Sequence, residues 1–194
     1  MFIQTEATPN PDVLKFLPGR ELMGQGTREF VDEASASASP LAQALFELAG
    51  VRRVFFGPDF LTVMKTNGVD WAVLKAPILA EIMDHFTSGA PLFEAAAPRR
   101  GSGQDDHQAD AYEGEAAQIV AEIKDLLDSR IRPAVAQDGG DILFSRFEPQ
   151  SGVVWLHMRG ACSGCPSSAA TLRAGVENML RHYVPEVTRV EQVL

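Results

Sequence analysis

The sequence predicts a protein that mixes helices and strands, α/β in the broad sense and α+β in its arrangement. Two small mixed domains are joined by a flexible linker. Some segments repeat apolar residues at helical spacing, and others are short apolar runs typical of strands. From about residue 95 to residue 115 the chain has small, polar and turn-forming residues with no apolar period. A chain of 194 residues is long enough for two small domains. We therefore place the domains at residues 1–95 and 115–194, and an acidic linker at residues 96–114.

The first domain is predicted to alternate short strands with two helices. Ser39 and Pro40 have the types preferred at a helix N-cap and first position, so a helix is expected to begin there and to end before Gly50. Residues 34–39 are expected to be a loop. Apolar residues at helical spacing predict a second helix, with Pro77 as a kink or a late start. The predicted strands are residues 2–5, 13–17, 51–56 and 60–65, and the second helix covers residues 70–86.

The second domain is predicted to follow the order α-β-β-α-β. Ile119 and Ile123 mark one face of its first helix, and Leu172 and Val176 one face of its second. Asp138–Asp141, which contains two glycines, is expected to be the turn that ends an irregular segment after the first helix. The predicted strands are residues 142–147, 153–158 and 187–193.

Composition and charge exclude several classes of function. The formal net charge is −9, which disfavours general attraction to nucleic acid or to an anionic membrane. No apolar run is long enough to span a bilayer, and residues 1–6 lack the features of a signal peptide. We expect a reducing compartment, the bacterial cytoplasm, or else a mature organellar form. In such a compartment a Cys-x-x-Cys motif is more often metal-binding or catalytic than a structural disulfide.

The cysteine count is the most informative feature. The chain has only two cysteines, Cys162 and Cys165, in one Cys-x-x-Cys motif. A tetrahedral zinc site or an iron–sulfur cluster uses about four protein ligands, mostly thiolates. If the motif binds metal, one chain supplies half of the ligands and two chains must meet around the metal.

The residues around the motif suit anionic sulfur. Gly160 and Gly164 allow backbone N–H groups to approach the thiolates, and Pro166 has the preferred type for a first helical position. The positive end of that helix favours thiolate over thiol. Arg159 and Arg173 flank the motif and would offset the negative charge of a bound cluster.

Spacing alone leaves two alternatives open: a metal-free redox pair, as in thiol–disulfide oxidoreductases, and a zinc-bridged interaction module. The motif lies near the C-terminus without the βαβ units expected around a thioredoxin motif, which counts against the first alternative. His157 alternates with Trp155 and Arg159 on a strand, so it is interpreted as a partly buried sheet residue rather than a ligand. We identify no catalytic residues.

Several longer motifs make the sequence recognisable, and together they cover nearly all of the chain outside the linker. The C-terminal part resembles the NifU C-terminal domain, and the N-terminal part resembles the Nfu N-terminal domain just as closely. The C-terminal motifs are Ile131–Pro133, Asp138–Asp141, Gly160–Ser168, Thr171–Leu172 and Gly175–Glu177. The N-terminal motifs are Phe2–Glu6, Thr8–Pro11, Lys15–Gly19, Ser39–Ala42, Gly50–Val51 and Asp59–Val63.

The resemblance to Nfu-type iron–sulfur carriers implies a non-enzymatic function. Cys162 and Cys165 of two chains would hold one 4Fe–4S cluster at a homodimer interface. The cluster would come from an upstream scaffold and pass to apo-protein clients by thiolate exchange at an exposed half-site. Nucleic acid and membranes are not expected as partners.

Overall fold

The computed structural model describes residues 2–24, 26–94, 112–163 and 166–193, and of residues 166–169 it describes the backbone alone. The chain divides into two compact units, one within the first 101 residues and the other from residue 102 onward. None of the helices in these described ranges is both long enough and apolar enough to cross a membrane.

The first unit contains an antiparallel five-stranded sheet with the strand order β1-β2-β5-β4-β3. Its strands are β1 (Gln4–Ala7), β2 (Val13–Leu17), β3 (Arg28–Phe30), β4 (Val51–Phe56) and β5 (Leu61–Lys65). Its helices are α1 (Glu33–Ala36), α2 (Pro40–Glu47) and α3 (Trp71–Ser88). The prediction of a mixed α+β domain is confirmed here. The hairpin of β4 and β5 also lies where it was predicted, within one residue at each end.

The two predicted helix starts are confirmed with their capping contacts. Ser39 is the N-cap of α2, where its hydroxyl accepts a hydrogen bond from the Ala42 N–H at 3.3 Å. Asp70 caps α3 in the same way, with its carboxylate accepting from the Ala72 N–H at 2.9 Å. Pro77 lies inside α3, which continues through it to Ser88, so this proline does not delay the start of the helix.

Two short elements were missed by the sequence-based prediction. Residues 34–39 were expected to be a loop, but Glu33–Ala36 form α1, whose N-cap Asp32 and residue Ser35 make a reciprocal capping box. Strand β3 also has no apolar period that could have revealed it. Phe30 of this strand packs edge-on against Phe56 of its partner β4, with ring centroids 5.1 Å apart, so tertiary packing defines the strand.

The core of the first unit lies between the sheet and its helices. Aromatic side chains Phe16, Phe30 and Phe56 are fully buried with aliphatic residues of α2 and α3. Burial of such side chains is the main favourable term in folding, at roughly 25 cal/mol per Å² of apolar surface. This unit therefore has a hydrophobic core of its own.

The second unit contains a three-stranded sheet in the order β6-β7-β8, with helices before β6 and between β7 and β8, as predicted. Strands β6 and β7 are antiparallel, whereas β7 and β8 are parallel because α6 connects them. The elements are α4 (Glu115–Leu126), α5 (Arg132–Gln137), β6 (Gly140–Glu148), β7 (Val153–Gly160), α6 (Pro166–Tyr183) and β8 (Arg189–Gln192).

The segment after α4 was expected to be irregular, and this prediction is wrong. Leu127–Ile131 form a π-helical turn that leads directly into α5. Leu127 and Ile131 are buried in the second core, which explains why the segment stays helical. Insertions of this kind are frequent at functional sites. Here the turn places Arg132 against the start of β6.

The second unit also includes Tyr112, three residues before the predicted domain boundary. Its hydroxyl accepts a hydrogen bond from the Phe147 N–H and donates one to the Phe147 carbonyl, both at 2.7 Å. The tyrosine thus satisfies the outward-facing backbone groups of Phe147 on the edge strand β6. The boundary at residue 115 remains a prediction, as does the linker, most of which falls outside the described ranges.

Candidate functional site

The cysteine motif follows β7 and precedes α6, as the sequence predicts. Cys162 lies in the turn after Gly160, the last residue of β7. Cys165 lies outside the described residues, and so does Gly164. Helix α6 then begins at Pro166. The structure therefore describes one of the two predicted thiol ligands and the elements on both sides of the motif.

The thiol of Cys162 faces the interior of the domain rather than solvent. Its residue is only 5% exposed and belongs to the hydrophobic core of the second unit. Gly140, the first residue of β6, makes this position possible. A Cβ added to Gly140 would overlap the Cys162 sulfur and would also come within 2.8 Å of the Arg159 carbonyl oxygen. The expectation of an exposed half-site therefore does not hold for Cys162 in this conformation.

Three hydrogen bonds close the turn around Cys162. The Ser163 N–H and the Ser163 hydroxyl both donate to the Gly160 carbonyl, at 3.0 and 2.9 Å. The Ala161 N–H donates to the Gly139 carbonyl at 3.1 Å, which attaches the turn to the start of β6. Gly160 has φ 66° and Gly139 has φ 81°, the left-handed region that glycine adopts without steric cost.

An ion-pair network supports the same end of the sheet. Asp141 lies opposite Arg159 in the β6–β7 register, and its carboxylate is buried. Arg132 donates to it from Nε at 2.8 Å and from Nη2 at 3.1 Å, and from Nη1 to Asp128 at 2.9 Å. These bonds, first of all those to Asp141, raise the pKa of the Arg132 guanidinium above its usual value. The carboxylate also accepts from the Ile142 N–H at 2.9 Å.

The roles of Arg132, Asp141 and Gly140 were not predicted. Asp138–Asp141 was expected to be a turn, and this motif contains no signal for a bidentate pair with a residue nine positions earlier. For Gly140, however, a signal was present. A glycine at the first position of a strand indicates a close approach by another group, and here that group is the Cys162 sulfur.

His157 and Arg173, the other residues singled out near the motif, lie on β7 and α6. His157 is half-buried on β7, whose residues alternate between a half-exposed and a buried face, so its assignment to the sheet is confirmed. Arg173 of α6 pairs with Glu191 of β8 at 3.3 Å. This side chain, 42% exposed, therefore has an acidic partner within the domain.

The described side chains of one chain do not form a complete metal site. Over the described ranges, no group of three or more His, Cys, Asp or Glu side chains is placed to hold a metal ion. What the motif offers is soft sulfur donors, which suit zinc or iron–sulfur clusters rather than hard cations. Further ligands for such a centre must come from outside this set of residues.

Comparison with known proteins identifies both units. Residues 3–89 match the family model described as the scaffold protein Nfu/NifU N-terminal domain. Residues 123–191 match the NifU-like domain. The two matches together account for well over half of the chain.

Curated proteins are similar over the whole chain. NifU-like protein 4, mitochondrial, of Arabidopsis thaliana is 51% identical over 99% of this chain and 66% of its own length. The mitochondrial NFU1 iron–sulfur cluster scaffold homologue of Homo sapiens is 49% identical over 100% of this chain and 72% of its own length. The chain thus spans about two thirds of the length of these relatives. Among solved structures, a NifU-like protein from Saccharomyces cerevisiae is 29% identical, with a TM-score of 0.45 over 49% of this chain and 86% of that chain.

These relatives correct the predicted location. The Arabidopsis and human proteins are named as mitochondrial, which contradicts the expectation of a bacterial cytoplasmic protein. This prediction was wrong because composition and the first residues carry little information about compartment. The organellar form considered beside it agrees with these names. By the family matches to both of its domains and by its similarity to these relatives over its own whole length, the chain belongs to the Nfu/NifU family of scaffold proteins.

Proposed function

We propose that this protein carries an iron–sulfur cluster, of the 4Fe–4S type, between two copies of the chain. The observation that carries the proposal is the ligand shortage: Cys162 and Cys165 are the only cysteines of a chain that belongs to a family of scaffold proteins. Relatives are named as iron–sulfur cluster scaffolds, which supports the same cargo. Two thiolates from each chain make the four that a cubane cluster uses.

The small number of ligands, two from each chain, also suits transfer of the cluster to a client. In this proposal Cys162 and Cys165 of each chain bind the cluster as thiolates. Thiolates of a client apo-protein then replace them at iron one at a time, so the cluster moves intact and no electron is transferred. A chain that supplies only two ligands releases its share in two exchanges. The protein acts as a carrier and not as an enzyme.

The two domains divide this work. We propose residues 1–95 as the Nfu N-terminal domain, residues 96–114 as the linker and residues 115–194 as the cluster-binding domain. The N-terminal domain docks the client or the upstream scaffold that donates the cluster, or it helps to shield the cluster site. Its own hydrophobic core supports an independent role, because a unit with its own core can move relative to its neighbour.

Anaerobic reconstitution with ferrous iron and sulfide tests the proposal. We expect brown protein with a broad visible absorbance shoulder, a 4Fe–4S Mössbauer signature, and about four irons per two chains. Both Cys162→Ser and Cys165→Ser should abolish colour and iron binding. A serine control elsewhere in the same domain, Ala121→Ser on the exposed side of α4, should leave both unchanged.

The two alternatives give different results in the same experiment. A colourless protein with one zinc per two chains would contradict the cluster and indicate a zinc-bridged module. Metal-free protein that turns over a disulfide substrate would contradict it too and indicate a thiol–disulfide oxidoreductase. Either outcome depends on Cys162 and Cys165, so the serine variants alone do not separate them, whereas the metal content does.

A further inference from the structure

The buried position of Cys162 conflicts with the function proposed for it. A cluster shared by two chains lies between them, so each sulfur ligand must reach the surface of its domain. The Cys162 residue is 5% exposed and its sulfur packs against Gly140 at the start of β6. In this conformation Cys162 is part of the hydrophobic core and not a ligand available to a second molecule.

The turn that holds Cys162 inward depends on Ser163. This residue is itself 5% exposed, and its hydroxyl and its N–H converge on one acceptor, the Gly160 carbonyl, at 2.9 and 3.0 Å. Two donors on one carbonyl fix both ends of the turn that contains Cys162. The hydroxyl bond is the one that a side-chain substitution can remove while the backbone bond remains.

We propose that Ser163 is a positioning residue that holds Cys162 in a closed, buried pose, and that cluster binding requires the turn to open. Opening breaks the bond from the Ser163 hydroxyl to Gly160 and turns the Cys162 sulfur away from Gly140 toward the surface. This inference rests on the proposed function, since the shared cluster is what the thiol turns outward to bind.

The closed pose gives the protein without cluster a specific property. A thiol buried in an apolar core reacts slowly with oxidants and alkylating agents, because both need an accessible thiolate. The turn therefore protects the ligand from oxidation until a cluster is available. The rate at which Cys162 reacts measures how often the turn opens.

The first test measures that rate in the full chain without cluster. In a Cys165→Ser background Cys162 is the only thiol, and iodoacetamide labels it at a rate proportional to the open population. We expect labelling far slower than in the same chain unfolded in urea. Removing the hydroxyl with Ser163→Ala should speed labelling of the folded chain about 2- to 10-fold, the range that one lost hydrogen bond allows. The unfolded-state rates should stay equal.

A matched control separates this effect from any loss of a serine hydroxyl. Ser129 also donates its hydroxyl to a backbone carbonyl of the same domain, that of Asp125, at 2.6 Å. Ser129→Ala should leave the labelling rate unchanged. The rate should also be flat in low urea, because a local opening exposes little surface. A rate that rises steeply with urea from zero concentration, or equal rates in Ser163→Ala and its parent, would overturn the positioning role.

The second test follows cluster uptake in chains that keep both cysteines. With ferrous iron and sulfide, Ser163→Ala should reach the same final iron content as the unmodified chain, but about 2- to 10-fold faster. Equal uptake rates would overturn the inference. If the unmodified chain takes up no cluster, the proposed function fails instead, and the labelling experiment still decides whether Ser163 holds Cys162 closed.

Discussion

Arg132 and Asp141 form a bidentate ion pair, with Nε to Oδ1 at 2.8 Å and Nη2 to Oδ2 at 3.1 Å. The pair joins the helical segment before the sheet to the first residues of β6, next to the glycine that accommodates Cys162. The Asp141 side chain is only 4% exposed. Breaking this contact leaves the Arg132 guanidinium without its main acidic partner. The pair thereby joins two elements at the end of the sheet where the cysteine turn lies.

Replacing Asp141 tests how much this ion pair contributes to the stability of the domain. Asp141→Asn should lower the free energy of unfolding of the second domain by about 2–4 kcal/mol, somewhat less than the loss for a fully buried pair because Arg132 is partly exposed. The chain has two tryptophans, Trp71 and Trp155, one in each unit. In a Trp71→Phe background, urea unfolding followed by Trp155 fluorescence therefore reports on this domain alone.

The second acidic partner of the same arginine provides the control. Asp128 is exposed and contacts Arg132 through a single nitrogen, so Asp128→Asn should cost less than about 1 kcal/mol. Equal losses in the two variants would show that burial of Asp141 does not determine the strength of the network.

Tyr112 should stabilise the second domain although it precedes the predicted boundary. Tyr112→Phe keeps the ring but removes both hydrogen bonds to Phe147, which should cost about 1–3 kcal/mol because Phe147 is buried. The same substitution at Tyr183, whose exposed hydroxyl accepts from Arg130 at 2.8 Å, should cost less than about 0.5 kcal/mol. Urea unfolding followed by Trp155 fluorescence measures the stability of both variants. No difference between the two variants would contradict the assignment of residue 112 to the folded domain.

Two glycines of the second domain should respond to alanine with opposite signs. Gly140→Ala places a methyl group on the Cys162 sulfur and close to the Arg159 carbonyl, so it should destabilise by about 1–3 kcal/mol. Gly175 lies in α6 with open space around it, so Gly175→Ala should stabilise by about 0.5–1 kcal/mol. Urea midpoints of the two variants provide the measurement. A stabilising Gly140→Ala would show that the sulfur does not occupy this position.

The first domain should lose stability in mild acid through His85. This residue is 8% exposed, its Nε2 has no hydrogen-bond partner among the described residues, and burial lowers its pKa. Below the unfolded-state pKa of about 6.5, the unfolded chain binds a proton that the folded chain resists, so stability falls as pH falls, by at most about 1.4 kcal/mol per pH unit. Above that pH the contribution is constant.

The measurement uses Trp71 fluorescence in a Trp155→Phe background, with urea unfolding between pH 8 and pH 5. His85→Leu removes the titrating group and should flatten the pH dependence in this window by the amount that His85 contributes. If the two chains lose stability in parallel, His85 is not the origin of the effect.

Local patterns predicted most of the fold, and contacts between distant residues account for what was missed. Ser39 and Asp70 cap their helices through residues only two or three positions away, so the chain alone shows where these helices begin. Strand β3 and the π-helical turn are held by packing against residues elsewhere in their domains, which no local period records. The cysteine spacing indicated the candidate site, whereas the burial of Cys162 depends on Gly140, a glycine 22 positions earlier on the neighbouring strand.

The central claim is that two chains share one cluster, and the most direct measurement is native mass spectrometry of the anaerobically reconstituted protein. The account predicts that iron and sulfide are found at the mass of two chains, with four irons and four sulfides, and that apo-protein is found mainly at the mass of one chain. An intact cluster at the mass of a single chain would contradict it.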